Sequence, residues 1–256
     1  MNQNNILFLR HATLVLQLGK LKILVDPMLS DKDALDPVQN CENNLRIPMV
    51  DLPIDKTGMS AVLKEVDAVA VTHLHRDHWD SAAQQWIDKD KLIFCQPDDA
   101  EKIRMQGFRN VQPIDQCFIW NGITINRTNG QHGTGEIGKK MGAVSGFVFT
   151  LNNQSYYIAG DTIWCDEVAA ALGKFNPGTI VLNAGAAQFL TGDPITMSAA
   201  DIIRVHEKMP ASKIIAVHMD TVNHCLLKRT GLKKALEQRG VDSGVIIPAD
   251  GERIMI

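Results

Sequence analysis

The sequence predicts an α/β fold. Three observations carry that expectation: short runs rich in β-branched residues open the chain, strand-like and helix-like patterns alternate through its middle, and a helical pattern followed by an apolar run closes it. Residues 6–9, 13–18 and 21–25 follow one another closely and read as a meander, with Gly19-Lys20 as the tight turn between the last two. Ala68-Val69-Ala70-Val71 is short and wholly apolar, the pattern of a strand covered on both faces. Further strands are expected at residues 92–94, 123–127, 145–151, 155–159, 179–182, 214–217 and 245–247, with Asn152-Asn153 as a hairpin turn because Asn tolerates positive φ. Helical periodicity occupies residues 60–65, 81–87, 98–105, 166–172, 198–208 and 226–238. Ser198 followed by Asp201 is a capping signature, and Pro210 falls where that helix should stop. Residues 31–55 carry Pro37, Pro48 and Pro53 with little periodicity; such long irregular stretches tend to be functional, which makes this a candidate substrate loop. No repeat or linker divides the chain, so residues 1–256 are read as a single domain.

Composition narrows the function. Lysine and arginine number 26 against 29 aspartates and glutamates, a net charge of -3, so no global field attracts nucleic acid or an anionic membrane. No apolar run approaches the roughly 20 residues that span a bilayer, and the first residues lack the pattern of an export signal, which predicts a cytoplasmic protein. Cys41, Cys95, Cys117, Cys165 and Cys225 are odd in number, scattered and never spaced as CxxC. They are expected to be free thiols acting as small apolar side chains.

The chemistry concentrates in Thr72-His73-Leu74-His75-Arg76-Asp77-His78-Trp79-Asp80, where three imidazoles and a carboxylate fall within six positions. An extended segment would place His73, His75 and Asp77 on one side, and a turn after Asp77 would bring His78 round to join them. That offers nitrogen and oxygen ligands of the kind zinc and similar divalent ions prefer. The motif follows a strand directly, at the carboxyl end where α/β sheets place their ligand crevices. Asp161, His218 and Asp26 follow strand patterns in the same way, and His132 lies in a Gly-rich turn just past residues 123–127. Each alone has a plain reading as a cap, a turn residue or a core histidine; together they suggest one shared edge.

These residues resemble the metallo-β-lactamase superfamily, whose HxHxDH stands here as His73, His75, Asp77 and His78, with His132, Asp161 and His218 at the later family positions. Arg10-His11-Ala12-Thr13 and Val25-Asp26-Pro27 are most similar to the branch containing L-ascorbate-6-phosphate lactonase and N-acylphosphatidylethanolamine phospholipase D, although Arg10 stands where that branch has Gly. The resemblance implies a four-layer αβ/βα sandwich of two mixed sheets with helices outside, and a two-metal site along one edge. It places His73, His75 and His132 on a first metal, Asp77, His78 and His218 on a second, and Asp161 between them. Zinc is the first expectation, with manganese or iron as alternatives. Two such ions would hold a bridging hydroxide. Asp77 is the expected general base, and Asp26 a partner to the far nitrogen of a ligating imidazole.

His11 and His224 are candidates to contact substrate or to donate a proton to a leaving group, each also readable as a plain core or surface histidine. His206, within a helical pattern, is expected at the surface. Lys139-Lys140, in the turn after His132, is a candidate anchor for an anionic substrate group. The expected function is metal-dependent hydrolysis of a small ester, a lactone such as a sugar-phosphate lactone, or a phosphodiester. A nuclease and a non-catalytic metal-dependent binding protein are the alternatives. The expected partner is a small-molecule substrate, with no nucleic acid or membrane span. Residues 46–52 are a plausible place for a second copy of the chain to cover the site.

Overall fold

The computed structural model describes residues 3–256. Along the chain come β1 (Asn5–Arg10), β2 (Thr13–Leu18), β3 (Leu21–Val25), α1 (Lys56–Glu65), β4 (Ala68–Val71), α2 (Ser81–Trp86), β5 (Leu92–Cys95), α3 (Pro97–Met105), β6 (Val111–Pro113) and β7 (Cys117–Trp120). There follow β8 (Ile123–Asn129), α4 (Gly135–Met141), β9 (Ser145–Leu151), β10 (Gln154–Ile158), α5 (Asp166–Phe175), β11 (Thr179–Asn183), α6 (Ala199–Lys208), β12 (Lys213–Val217), α7 (Arg229–Arg239), β13 (Val245–Ile246) and β14 (Arg253–Met255). They form two seven-stranded sheets, ordered β14-β1-β2-β3-β4-β5-β6 and β13-β12-β11-β10-β9-β8-β7. Both sheets are mixed: the β1–β3 and β7–β10 neighbours run antiparallel, whereas β3–β6 and β10–β13 run parallel.

Strand alternation explains the layering. On β4, Ala68 and Ala70 face the other sheet, while Val69 and Val71 pack under the outer helices with Met59, Ala83 and Ile103. On β12, Ile215 and Val217 face inward, and Ile214 and Ala216 meet Val168, Ile202 and Leu232. With both faces covered, parallel strands can be apolar throughout. Phe8, Phe94, Phe147 and Phe149 fill the space between the sheets; full burial of each contributes about 1.5–3 kcal/mol. The four-layer sandwich of two mixed sheets with helices outside is therefore the architecture of this chain.

Several local signals act as expected. Ser198 and Asp201 form a reciprocal capping box on α6, and Asn152 and Asn153 both turn at positive φ between β9 and β10. Others depart. β6, β7 and β14 are short and lie toward the sheet edges, where half-exposed residues carry too weak an alternation to stand out. α1 begins at Lys56 because Asp55 accepts from the Gly58 amide. The last helix begins at Arg229, not at residue 226, because Leu227 donates its amide to Gly185 and Cys225 bridges to Ala187. Lys139 and Lys140 sit on helix α4 rather than in a turn. His206 is half-buried, not at the open surface, because its ring packs against Gly244.

Candidate metal centre

The carboxyl ends of both sheets meet along one edge. His11 follows β1, Asp26 follows β3, the His73–His78 segment follows β4, His132 follows β8, Asp161 follows β10 and His218 follows β12. The chain turns sharply there: His11, Asp26 and His218 all adopt positive φ. Gly160, at φ 71, lets the backbone pass so close that a Cβ would lie 2.6 Å from the Ser145 carbonyl oxygen, which only glycine accommodates.

Three overlapping groups of ligand atoms form there, each with its members within 4.8 Å of one another: His73, His75 and His132; His11, Asp77, His78 and His218; and His73, His78 and Asp161. Asp161 reaches both halves, with Oδ2 3.6 Å from His132 Nε2 and 3.3 Å from His78 Nε2, and Oδ1 3.2 Å from His218 Nε2. The turn in the motif comes earlier than the sequence suggested. The amides of His78 and Trp79 both donate to the His75 carbonyl, so extended alternation ends at His75 and the turn itself carries Asp77 and His78 inward. Asp80 caps the next helix.

The outer face of each imidazole decides which nitrogen points inward. His78 Nδ1 donates to Asp26 Oδ2 at 2.9 Å, and His132 Nδ1 donates to the Ile195 carbonyl at 2.8 Å. The Thr72 hydroxyl donates to Asp26 Oδ2 at 2.8 Å, so its oxygen is free to accept from His73 Nδ1 at 3.1 Å. In each case the outer nitrogen holds a proton, which turns Nε2 towards the centre. His73 Nε2 lies 2.9 Å from His75 Nδ1, and His78 Nε2 lies 3.2 Å from His218 Nε2. Converging lone pairs beside two carboxylates, with outer nitrogens fixed by oxygen acceptors, are what a divalent cation requires of its ligands. The donor set fits one.

Electrostatics agree. Burial opposes charge on His78, but Asp161, Asp26 and Asp77 together outweigh it and push its pKa up to about 10. His218 is likewise raised against the cost of burial, chiefly by Asp161. Asp77 and Asp161 stay ionised well below the usual carboxylate range although burial alone would raise them, because the imidazoles face them. The cluster calls for positive charge at its centre.

His11 is fully buried and does not line the open cavity. Its Nε2 donates to Asp77 Oδ2 at 3.0 Å, and its ring lies over that of His218 with centroids 3.7 Å apart. Burial first, then His218, lowers its pKa to about 3. Arg10 is also fully buried; its guanidinium donates to the carbonyls of Met28, Ser30 and Val50, tying together both ends of the 31–55 loop. That loop supplies Asp36, Pro37, Val38 and Gln39 to a cavity of about 500 Å³, whose other walls are His75, Arg76, Asp77, His132, Met141, Asp161, Phe189, Ile195 and His224. Burial lowers the His224 pKa to about 4. Lys139 and Lys140 are exposed and do not line the cavity, and Lys139 pairs with Glu136 at 2.6 Å.

Sequence reasoning did not single out Asn183, whose Nδ2 donates to Asp161 Oδ1 at 2.6 Å. It ends β11, so the strand-end rule that pointed to Asp161 and His218 applies to it equally. Nor did it separate Cys225 from the other thiols, although its sulfur lies 3.6 Å from His218 Nδ1. Cys41, Cys95, Cys165 and Cys225 are buried and Cys117 is exposed, all free. Among the described residues, no helix is long and apolar enough to cross a membrane.

Known proteins resemble this chain to different degrees. The family model of the β-lactamase superfamily domain matches residues 22–219. UPF0173 protein YddR of Bacillus subtilis is 38% identical over 97% of this chain and 98% of its own. A crystal structure described as a possible metal-dependent hydrolase of Veillonella parvula superposes with a TM-score of 0.94 at 37% identity, covering 100% of both chains. An isothiocyanate hydrolase from Delia radicum gut bacteria superposes with a TM-score of 0.92 at 40% identity, over 98% of this chain and 99% of that one. Of the lactonase and phospholipase D branch expected from the N-terminal motifs there is a distant likeness: N-acyl-phosphatidylethanolamine-hydrolyzing phospholipase D 1 of Caenorhabditis elegans is 25% identical over 91% of this chain and 69% of its own. A two-sheet sandwich with this histidine and aspartate cluster, matched over nearly its full length by YddR, belongs to the metallo-β-lactamase superfamily and, within it, to the UPF0173 family of metal-dependent hydrolases.

Proposed function

We propose that the chain hydrolyses small electrophilic molecules at a two-metal centre, and that its substrates are uncharged and carry an apolar substituent, with isothiocyanates the leading class. The observation that carries this is the cavity itself: ionised Asp77 and Asp161 and the imidazoles of His75 and His132 line it together with Val38, Met141, Phe189 and Ile195, which belong to one apolar cluster. His73, His75 and His132 would hold one ion, Asp77, His78 and His218 a second, and Asp161 would serve both. Bound divalent ions would supply Lewis acidity, lowering the pKa of water towards about 7 and polarising the substrate. Zinc suits this nitrogen and oxygen set, with manganese and iron as alternatives.

The protein's own residues do the rest. Asp77, fixed through Oδ2 by His11, takes the proton from the attacking water as its oxygen bonds to the substrate's electrophilic carbon. For an isothiocyanate that carbon lies between nitrogen and sulfur. Addition of water gives an N-substituted thiocarbamate, the water's second proton passing to nitrogen; the proton held on Asp77 then passes to the same nitrogen as the carbon–nitrogen bond breaks, which yields an amine and carbonyl sulfide and returns Asp77 to its ionised form.

An apolar wall disfavours a sugar phosphate. Among the described residues lining the cavity, Arg76 is the one Lys or Arg, and the lysine pair once expected to anchor an anion is outside. The likeness at 40% identity to an isothiocyanate hydrolase supports the same substrate class. Esters and lactones with apolar substituents are the second reading, because the same wall would seat them.

The test is amine release from allyl and benzyl isothiocyanate by zinc-, manganese- or iron-loaded protein, beside panels of lactones, phosphodiesters and single-stranded RNA. Turnover of the isothiocyanates that is lost on chelation supports the proposal. Turnover confined to lactone phosphates or RNA would overturn the substrate class, and protein that binds no metal would overturn the mechanism.

A further inference from the structure

His224 is 7% exposed and lines the cavity beside Asp77, Asp161 and His132, yet its buried Nδ1 has no hydrogen-bond partner among the described residues. The segment around it is not slack. Asn223 Oδ1 accepts from the Val38 amide at 2.9 Å, while its Nδ2 donates to the Val38 and Asn43 carbonyls at 3.0 Å each. The Asn43 side chain donates back to the Asn223 carbonyl at 3.1 Å, and the His224 carbonyl accepts from the Gln188 amide at 3.0 Å. Phe189 packs on the imidazole, ring centroids 5.8 Å apart and tilted by 40°. Polar groups about it are paired, and the imidazole is held in place with its Nδ1 unpaired.

The two ring nitrogens differ. Nδ1 is enclosed and unpartnered. A proton there would be a buried N–H with nothing to accept it, which native structures rarely tolerate, whereas an unshared acceptor lone pair is milder. No carboxylate hydrogen-bonds the ring to favour a second proton. The proton of the neutral ring therefore sits on Nε2, which unlike Nδ1 is not an enclosed atom, on a residue that lines the cavity.

We propose that His224 is a catalytic residue that donates a hydrogen bond from Nε2 to the substrate atom on which negative charge develops: the sulfur or nitrogen of an isothiocyanate, or the carbonyl oxygen of an ester. The inference rests on the hydrolase reading above and assigns one contact within it. A preorganised donor aimed at developing charge strengthens in the transition state, so its loss lowers kcat more than it raises KM.

The experiment compares His224→Phe and His224→Gln with the native metal-loaded protein. The phenyl ring keeps the packing on Phe189 and removes the donor; the carboxamide returns an N–H near the position of Nε2. His224→Phe is expected to lower kcat about 100-fold, the order seen on removing one such donor, with KM changed less than about threefold and metal content unchanged. His224→Gln is expected to recover about tenfold of that loss. A kcat within about threefold of native in His224→Phe, or equal losses in both variants, would overturn the assignment.

A second readout does not depend on turnover. Nitrogen-15 spectra of histidine-labelled, chelated protein should give His224 as the Nε2–H tautomer, and thiocyanate added to the zinc-loaded protein should shift that resonance. The Nδ1–H tautomer, or no response to thiocyanate, would refute the contact. If the native protein turns over no isothiocyanate yet thiocyanate moves the His224 signal, the substrate class fails and the His224 contact stands.

Discussion

Asp26 accepts the Nδ1 proton of His78 across 52 positions of sequence, and both side chains are almost completely buried. The same carboxylate takes the Thr72 amide and hydroxyl at 2.8 Å each, so one acidic residue at the end of β3 holds the start of the His73–His78 segment at two points. Asp26 adopts φ 43, a conformation Asn also tolerates. Asp26→Asn should therefore fold with the same backbone while losing the charge that orients His78. Metal affinity is expected to fall about 10- to 100-fold, read by competition against a chromophoric chelator. Unchanged affinity would show that Asp26 serves only as a turn.

His11 acts on Asp77 in a comparable way from the end of β1. His11→Asn keeps a residue suited to φ 57 but is too short to span to the Asp77 carboxylate. With Asp77 left to swing, kcat/KM is expected to drop about 100-fold, the scale of an ångström-sized misplacement, while the metal content stays that of the native protein. Loss of a whole metal equivalent would instead identify His11 as a ligand.

Proton linkage gives the metal-free protein a stability maximum. Burial drives His224 down to about 4 and His11 to about 3. Their contribution is complete above the unfolded value of about 6.5 and declines as pH falls towards 4, where the unfolded chain takes up protons that the folded one refuses. His78 runs the other way. Held up to about 10, it stabilises the fold fully below about 6.5 and progressively less as pH rises to 10. Thermal melts of chelated protein should thus peak near neutrality, and an ion held by His78 as proposed, which would need that ring deprotonated, should flatten the alkaline side. Melts with equally steep alkaline limbs in the presence and absence of metal would contradict this.

Arg10 joins the metal edge to the loop that walls the cavity. Burial lowers its pKa to about 10, still charged at neutral pH. Arg10→Met keeps the bulk but leaves the Met28, Ser30 and Val50 carbonyls without their donor. At about 1–3 kcal/mol for each buried group left unsatisfied, the fold should lose several kcal/mol in denaturant titrations, and KM should rise as residues 36–39 loosen. Unaltered KM with unaltered stability would mean that the loop holds itself.

Much of this architecture is written in local patterns. The β1–β3 meander, the Ala68–Val71 strand and the Ser198–Asp201 cap depend on neighbours within a few positions, and so were legible. Strands β6, β7 and β14 were not, because they are short and what makes them strands is a partner elsewhere: β14 pairs with β1 at the opposite end of the chain. The same division runs through the site. His73, His75, Asp77 and His78 announce themselves by density, whereas Asn183 is a single polar residue at a strand end and gains its meaning only beside Asp161.

The amino-acid order alone determined the ligand chemistry and the layered α/β class, since clustered imidazoles and strand-length apolar runs are short-range properties. Tertiary structure decided which nitrogen of each histidine faces the centre, that His11 braces Asp77 while His224 faces the cavity, and that the lysine pair points away. Those outcomes turn on hydrogen-bond acceptors and burial contributed by residues tens to hundreds of positions away, which become neighbours only when both sheets close on each other.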